Sequence, residues 1–213
     1  MAGASNVIED GSTLSRIDRA LFRVETLLAL IGGIVVFSLM LLAVGSVGGR
    51  KLFNQPLPGY VDWIQFLMPF IAILGVSYCH RLGGHIRMDI LVGRLKGRAL
   101  WLFELLSTLL VLLLMVLLVW GSWSHFDRSF DLGRPLWSSD SSIDIGLPLW
   151  PAKLVVPVAF GVLCLRLSLH VYAYAKALIE GAEHPVAVPL IEDAATQAAH
   201  EAETVSGFEE DAR

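Results

Sequence analysis

Few residues in this 213-residue sequence combine reactive chemistry with a setting that would make use of it. His80 and His170 each fall near the end of an apolar segment, where two helices can offer one imidazole apiece to a haem iron. Such an isolated pair is more often unliganded, because histidine is well tolerated at the edge of an apolar run. Glu104 and Arg166 lie within apolar stretches, where an ionisable group marks an ion pathway or a structural pair. Glu104 reads either as an interfacial acid at a helix N-terminus, favoured there by the helix dipole, or as a carboxylate buried against a partner helix. Arg166 reads as a side chain whose long stem carries its guanidinium towards the nearer surface. Cys79 and Cys164 show neither a CxxC spacing nor a Cys/His metal pattern. The most distinctive stretch is Cys79-His80-Arg81-Leu82-Gly83-Gly84-His85-Ile86-Arg87-Met88-Asp89-Ile90-Leu91. Its glycines permit a tight turn. Ile86, Ile90, Leu91 and Leu95 can rest on lipid while Arg87, Arg94 and Lys96 face headgroups, which is the chemistry of a basic interfacial elbow.

The elements that must position these residues are long and apolar. Hydrophobic residues make up 55% of the chain and charged ones only 17%, against about 25% charged in soluble domains. Mean hydropathy is +0.64. Residues 26–49, 63–79 and 105–124 are runs of 24, 17 and 20 residues without a charge. About 20 residues at 1.5 Å rise cross a hydrocarbon core of about 30 Å, so these runs read as membrane spans and exclude a soluble globular enzyme. The net charge of −4 sits largely in the tail after Gly181, so no nucleic-acid-binding face is indicated. The first apolar run is too long for a signal-peptide core and follows 25 mostly polar residues, so it reads as a retained transmembrane helix.

The expected fold is an all-α integral membrane protein with four transmembrane helices, an N-terminal amphipathic lead helix and a short interfacial elbow between the second and third spans. The four-helix domain covers 14–178, with spans at about 26–49, 62–80, 101–124 and 150–172. Residues 1–13 are expected to be flexible, and 179–213, with eight acids against Arg213 after residue 180, to form an acidic disordered tail. In the lead, Leu14, Ile17, Leu21, Val24 and Leu28 recur at helical spacing, with Arg16, Asp18, Arg19 and Arg23 on other faces. This segment reads either as a helix lying on the membrane surface or as a solvated extension of the first span. Pro69 and Gly75 predict a kink in the second span. Ten Lys and Arg fall on the side that holds the N-terminus and the 80–100 loop, against five on the other, so both termini are expected in the cytoplasm. Trp63, Trp101, Trp120, Trp123 and Trp150 lie near predicted boundaries, as an interfacial belt should. No internal repeat of the kind that builds a complete transporter is visible.

The elbow carries a resemblance. Arg81-x-Gly83-x-His85-Ile86-x-x-Asp89 after a second span resembles the R-x-G-x-H-I-x-V-D signature of the small membrane subunit of tripartite ATP-independent periplasmic (TRAP) transporters, with Met88 at the usual valine. Asp62 occupies the place where that family commonly has a glutamate, and Ile145-Gly146-Leu147-Pro148-Leu149-Trp150, followed by Pro157, resembles its approach to the fourth span. The family's usual tryptophan in the second span is replaced by Pro69-Phe70. The resemblance covers about 15–178 and implies a bacterial inner-membrane subunit that is not an enzyme and needs no cofactor. It implies two protein partners: a large multispanning subunit that moves an organic acid, and a periplasmic substrate-binding protein. On that reading the small subunit braces the large one in the lipid bilayer and helps dock the binding protein. Asp62, Arg81, Gly83, His85, Ile86, Asp89, Trp150 and Pro157 then serve assembly, and the chain has no substrate, metal or catalytic site. Two other classes remain open: a haem-bearing anchor of a redox complex through His80 and His170, and a self-sufficient small transporter through Glu104 and Arg166.

Overall fold

The computed structural model describes residues 13–55, 57–81 and 98–180. They form five α-helices, which we number α1 (Thr13–Phe53), α2 (Tyr60–Ile73), α3 (Val76–Arg81), α4 (Arg98–Asp127) and α5 (Trp150–Glu180). A single 3-10 turn, Pro135–Trp137, lies in the loop before α5. Four stretches are long and apolar enough to cross a bilayer: Leu14–Phe53, Tyr60–Arg81, Leu100–Asp127 and Trp150–Ile179. The chain is therefore an all-α, multi-pass membrane protein. The described residues hold no extended strand, only two isolated bridges, Phe130 to Ser138 and Ser141 to Pro148.

The amphipathic lead and the first span are one rod. α1 runs unbroken for 41 residues, roughly 60 Å at 1.5 Å per residue, about twice the hydrocarbon thickness. In lipid an unpaired backbone amide costs several kcal/mol, so the glycine pair Gly32-Gly33 stays helical rather than opening a break. The second span does break. Pro69 withholds one amide from the ladder, and the helix is interrupted at Leu74-Gly75 before α3 resumes. The gap is narrow: the Leu74 amide still donates to the Phe70 carbonyl at 3.2 Å and the Cys79 amide to Gly75 at 3.0 Å.

The closest partnership is between α4 and α5, which pack antiparallel along their lengths. α5 is the most buried span, through Leu163, Leu167, Ala173, Tyr174 and Ala177. A small cluster of Trp101, Ala173, Tyr174 and Ala177 closes the end near the N-terminus of α1, with Leu14 packed against it. By contrast, most apolar side chains of α1 and α4 point outward, among them Leu30, Phe37, Val44, Leu106, Leu110 and Leu117. Lipid tails are as apolar as leucine, so nothing drives these faces inward, and helix contact rests on packing and hydrogen bonds instead.

The turn into α2 depends on Gly59. Its φ of +69° lies in the left-handed region, and a Cβ there would meet Ile145 Cγ2 at 2.5 Å. Gly59→Ala should lower the stability of the detergent-solubilised protein by about 1–3 kcal/mol, from left-handed strain plus overpacking. Gly121→Ala, in a helix with nothing within 4 Å of the added carbon, should be neutral or slightly stabilising. Thermal-shift chromatography of both variants would check this. Equal melting of the two would mean the Gly59–Ile145 contact does not constrain the fold.

Candidate functional site

Asp18 and Glu25 stand seven residues apart on α1, two helical turns, so both carboxylates project from one face. On α3, Ser77 and Arg81 are four residues apart and likewise share a face. Arg166 comes from α5. These five side chains meet. Arg166 donates from Nε to Glu25 Oε1 at 2.8 Å and from Nη2 to Glu25 Oε2 at 2.6 Å, a bidentate fork. Its remaining nitrogen, Nη1, donates to Asp18 Oδ1. Arg81 Nη2 donates to the other Asp18 oxygen at 2.7 Å, and Ser77 Oγ donates to Glu25 Oε1 at 2.6 Å. The Arg81 guanidinium also lies 3.9 Å from the centre of the Phe22 ring, which stacks on Tyr78.

The cluster is sealed: Asp18 and Arg81 are 1% exposed, Glu25 and Arg166 0%. Two cations and two anions sum to zero. A lone ion taken from water into such a place loses several kcal/mol, which mutual attraction and full hydrogen bonding must offset. Every oxygen of the two carboxylates accepts a bond here. A saturated neutral cluster has no vacancy for a passing ion, and what it does is fasten α1, α3 and α5 together.

Arg166 therefore does not reach for the surface, as its stem length predicts; two carboxylates inside the bundle hold it better than headgroups would. Glu104 takes the buried one of its two readings. It is 6% exposed and shares the buried face of α4 with Trp101 and Thr108. His80 and His170 do come together, with ring centroids 5.2 Å apart and planes inclined by 28°. Stacked in this way they leave no slot for a porphyrin, whose two axial nitrogens approach the iron from opposite faces. They belong instead to an aromatic row in which His170 meets Tyr174 edge-on and Tyr174 stacks on Trp101. No group of three or more His, Cys, Asp or Glu among the described residues is placed to hold a metal.

A second polar centre lies at the opposite end. Asp62, 4% exposed in the first turn of α2, accepts from Ser142 Oγ at 2.6 Å and from the amides of Asp144 at 3.0 Å and Ile145 at 2.9 Å. Ser142 Oγ in turn accepts from the Leu147 amide at 2.8 Å. One carboxylate thus clasps the 128–149 loop to the head of the second span. Trp150 adds a bond from Nε1 to the Leu136 carbonyl at 3.0 Å and an edge contact with Phe130. Pro157 is buried inside α5. In the loop, a hydrogen bond from the Lys153 ammonium and its charge hold the Asp140 carboxyl below the usual carboxylate range. Of the eight expected assembly residues, Asp62 and Trp150 converge on this loop and Arg81 joins the charge cluster. Gly83, His85, Ile86 and Asp89 lie outside the described residues.

This is a helical membrane protein whose internal charges fasten helices together. The family model of the tripartite ATP-independent periplasmic transporters, DctQ component, matches residues 39–176, more than half of the chain. The chain belongs to that family, one of transporter components rather than enzymes. No curated protein sequence matches it. The matched region contains Ser77, Arg81 and Arg166, whereas Asp18 and Glu25 precede it.

Removing one side of a buried pair strands the other, so Arg166→Gln should destabilise the bundle by about 3–5 kcal/mol. Glu25→Gln/Arg166→Gln keeps the Asp18–Arg81 pair and restores neutrality, so it should recover much of that loss. A double-mutant cycle on thermal or denaturant unfolding in detergent checks this. Strict additivity of the two single changes would show that they do not form one unit.

Proposed function

We propose that this subunit braces the large, substrate-translocating subunit of a TRAP-type secondary transporter for organic acids in the bacterial inner membrane. Both termini lie in the cytoplasm, on the side with more Lys and Arg. The 128–149 loop then faces the periplasm, where it helps to dock the substrate-binding protein. The observation that carries this reading is the division of the chain's polarity. The charges of the Asp18–Glu25–Arg81–Arg166 cluster are neutralised against each other inside the bundle, while α1 and α4 offer long open apolar faces. Ionisable residues inside a span commonly mark an ion or substrate pathway, and here they are spent on one another. A brace needs rigid helices and a wide surface for packing.

Mild-detergent purification of the tagged chain from its native membranes should recover a multispanning protein in near-stoichiometric amount. Recovery alone, or with redox subunits, would overturn the proposal. Substitutions at the elbow and cluster should act through assembly. Asp89→Ala and Arg81→Gln should each lower organic-acid uptake in proportion to the complex that survives. A variant with a normal amount of complex and no uptake would place a transport site in this chain.

A further inference from the structure

We propose that one tip of the 128–149 loop, formed by Leu132, Leu136 and Trp137, is seated in the lipid headgroup layer at the end of the bundle where α4 leads into α5. These side chains are 73%, 67% and 54% exposed on the protein itself. No slack in the chain throws them outward, because the turn is bonded along its length. The Asp131 amide donates to the Trp137 carbonyl at 3.1 Å, the Trp137 amide to the Arg134 carbonyl at 3.0 Å, and the Ser139 amide to the Ser129 carbonyl at 2.8 Å. Leu136 and Trp137 also take left-handed backbone angles, with φ of +57° and +54°, which a residue bearing a Cβ adopts only under strain. A turn of this shape facing water is made with glycine or asparagine, which accept those angles readily. A strained, well-bonded turn that holds leucine and tryptophan outward points to a surface that they meet.

The level of the tip says which surface that is. Trp150 opens the fourth span, and its Nε1 donates to the Leu136 carbonyl at 3.0 Å, so the turn sits where that span begins. The Trp137 ring lies 6.5 Å from the Trp150 ring. From Trp150 the aromatic contacts run on through Phe130 and Phe126 to Trp123, in the last turns of α4. This row crosses the heads of two spans and ends in an exposed indole on each side, since Trp123 is 52% exposed. Tryptophan, with an apolar body and one donor, is the residue favoured at the boundary between acyl chains and water. The charges beside the tip suit the same layer: Arg128 is exposed, and Arg134 forms an exposed pair with Asp131 at 3.2 Å. The stretch further along the loop has the opposite character. It carries Asp140 and Asp144, both exposed, which lipid phosphates disfavour. The loop is thus divided into a half that rests on lipid and an acidic half, clasped by Asp62, that stays in water and remains open to a protein partner.

Nitroxide labels on single cysteines test this, in the full chain with Cys79→Ala and Cys164→Ala, reconstituted in phospholipid nanodiscs. Leu132→Cys and Leu136→Cys place labels on the tip, and Ile143→Cys, at a position 96% exposed, places one on the acidic half. The two tip labels should collide with a water-soluble nickel chelate at least about fivefold less often than the label at position 143, and more often with membrane-dissolved oxygen. An unchanged melting temperature in detergent shows that each variant is folded. Leu132 has no left-handed backbone angle, so its label reads the tip even if the change at Leu136 disturbs the turn. Equal access of the chelate at positions 132 and 143 would overturn the proposal. So would cross-linking of the cysteine at 132 or 136 to another subunit in the assembled complex, since a protein would then cover the tip. Neither readout depends on transport or on which compartment this end of the bundle faces, so the proposal stands or falls apart from the brace reading.

Discussion

The guanidinium of Arg166, closed between Glu25 and Asp18 with no exposed surface, is the constraint from which much of the remaining architecture follows. A cation in the fourth span cannot stay there alone, so α1 must bring carboxylates to its depth. It does so on one face, two turns apart, which requires α1 to stay helical through the lead instead of breaking before the first span. Asp18 has one oxygen left after serving Arg166, and Arg81 takes it. The break at Leu74-Gly75 fits the same demand, since it lets the second span re-aim its last six residues so that Ser77 and Arg81 both reach the cluster.

At the other end a single unpaired carboxylate does comparable work by another route. Among the described residues Asp62 meets no cation; it accepts from one hydroxyl and two backbone amides of a loop about eighty residues further on. The two ends differ in their physical setting. The Asp62 centre is backed by a loop that can bend around it, so neutral donors suffice. The Arg166 centre is walled by helices whose backbone groups are already bonded to one another, so only side chains can serve it. A loop held by its backbone to a fixed carboxylate presents a defined surface, which suits a site of contact with another protein better than a free coil does.

Much of this was legible in the residues. Charge-free runs gave three of the four spans, and Pro69 with Gly75 gave the weak point of the second. The signature around Arg81 pointed to the family that the comparison then showed. What stayed hidden was pairing. Asp18 sits in a stretch rich in Arg16, Arg19 and Arg23 and reads as one more surface charge. Glu25 falls one residue before the first charge-free run and reads as its boundary. Only the i, i+7 spacing of the two acids hints at a shared face, and nothing local says that an arginine more than 140 residues away will meet them. The burial of Glu104 was hidden for the same reason, because a carboxylate early in a helix looks interfacial until the neighbouring helix is in place.

The separation of the partners in sequence bears on how the bundle forms. Glu25 and Asp18 lie 141 and 148 residues before Arg166, so α1 enters the membrane long before its main counter-charge exists. Until then both acids do best near the interface, where water and basic neighbours remain within reach. Arg81, arriving with the second span, can neutralise Asp18 but leaves Glu25 with only the Ser77 hydroxyl. The bidentate fork of Arg166 completes the set, so the cluster reaches neutrality only when the last helix has joined. A bundle whose central charges balance only on completion is poorly held at every earlier stage. That property suits a component of a multi-part transporter, which must be correctly assembled to serve.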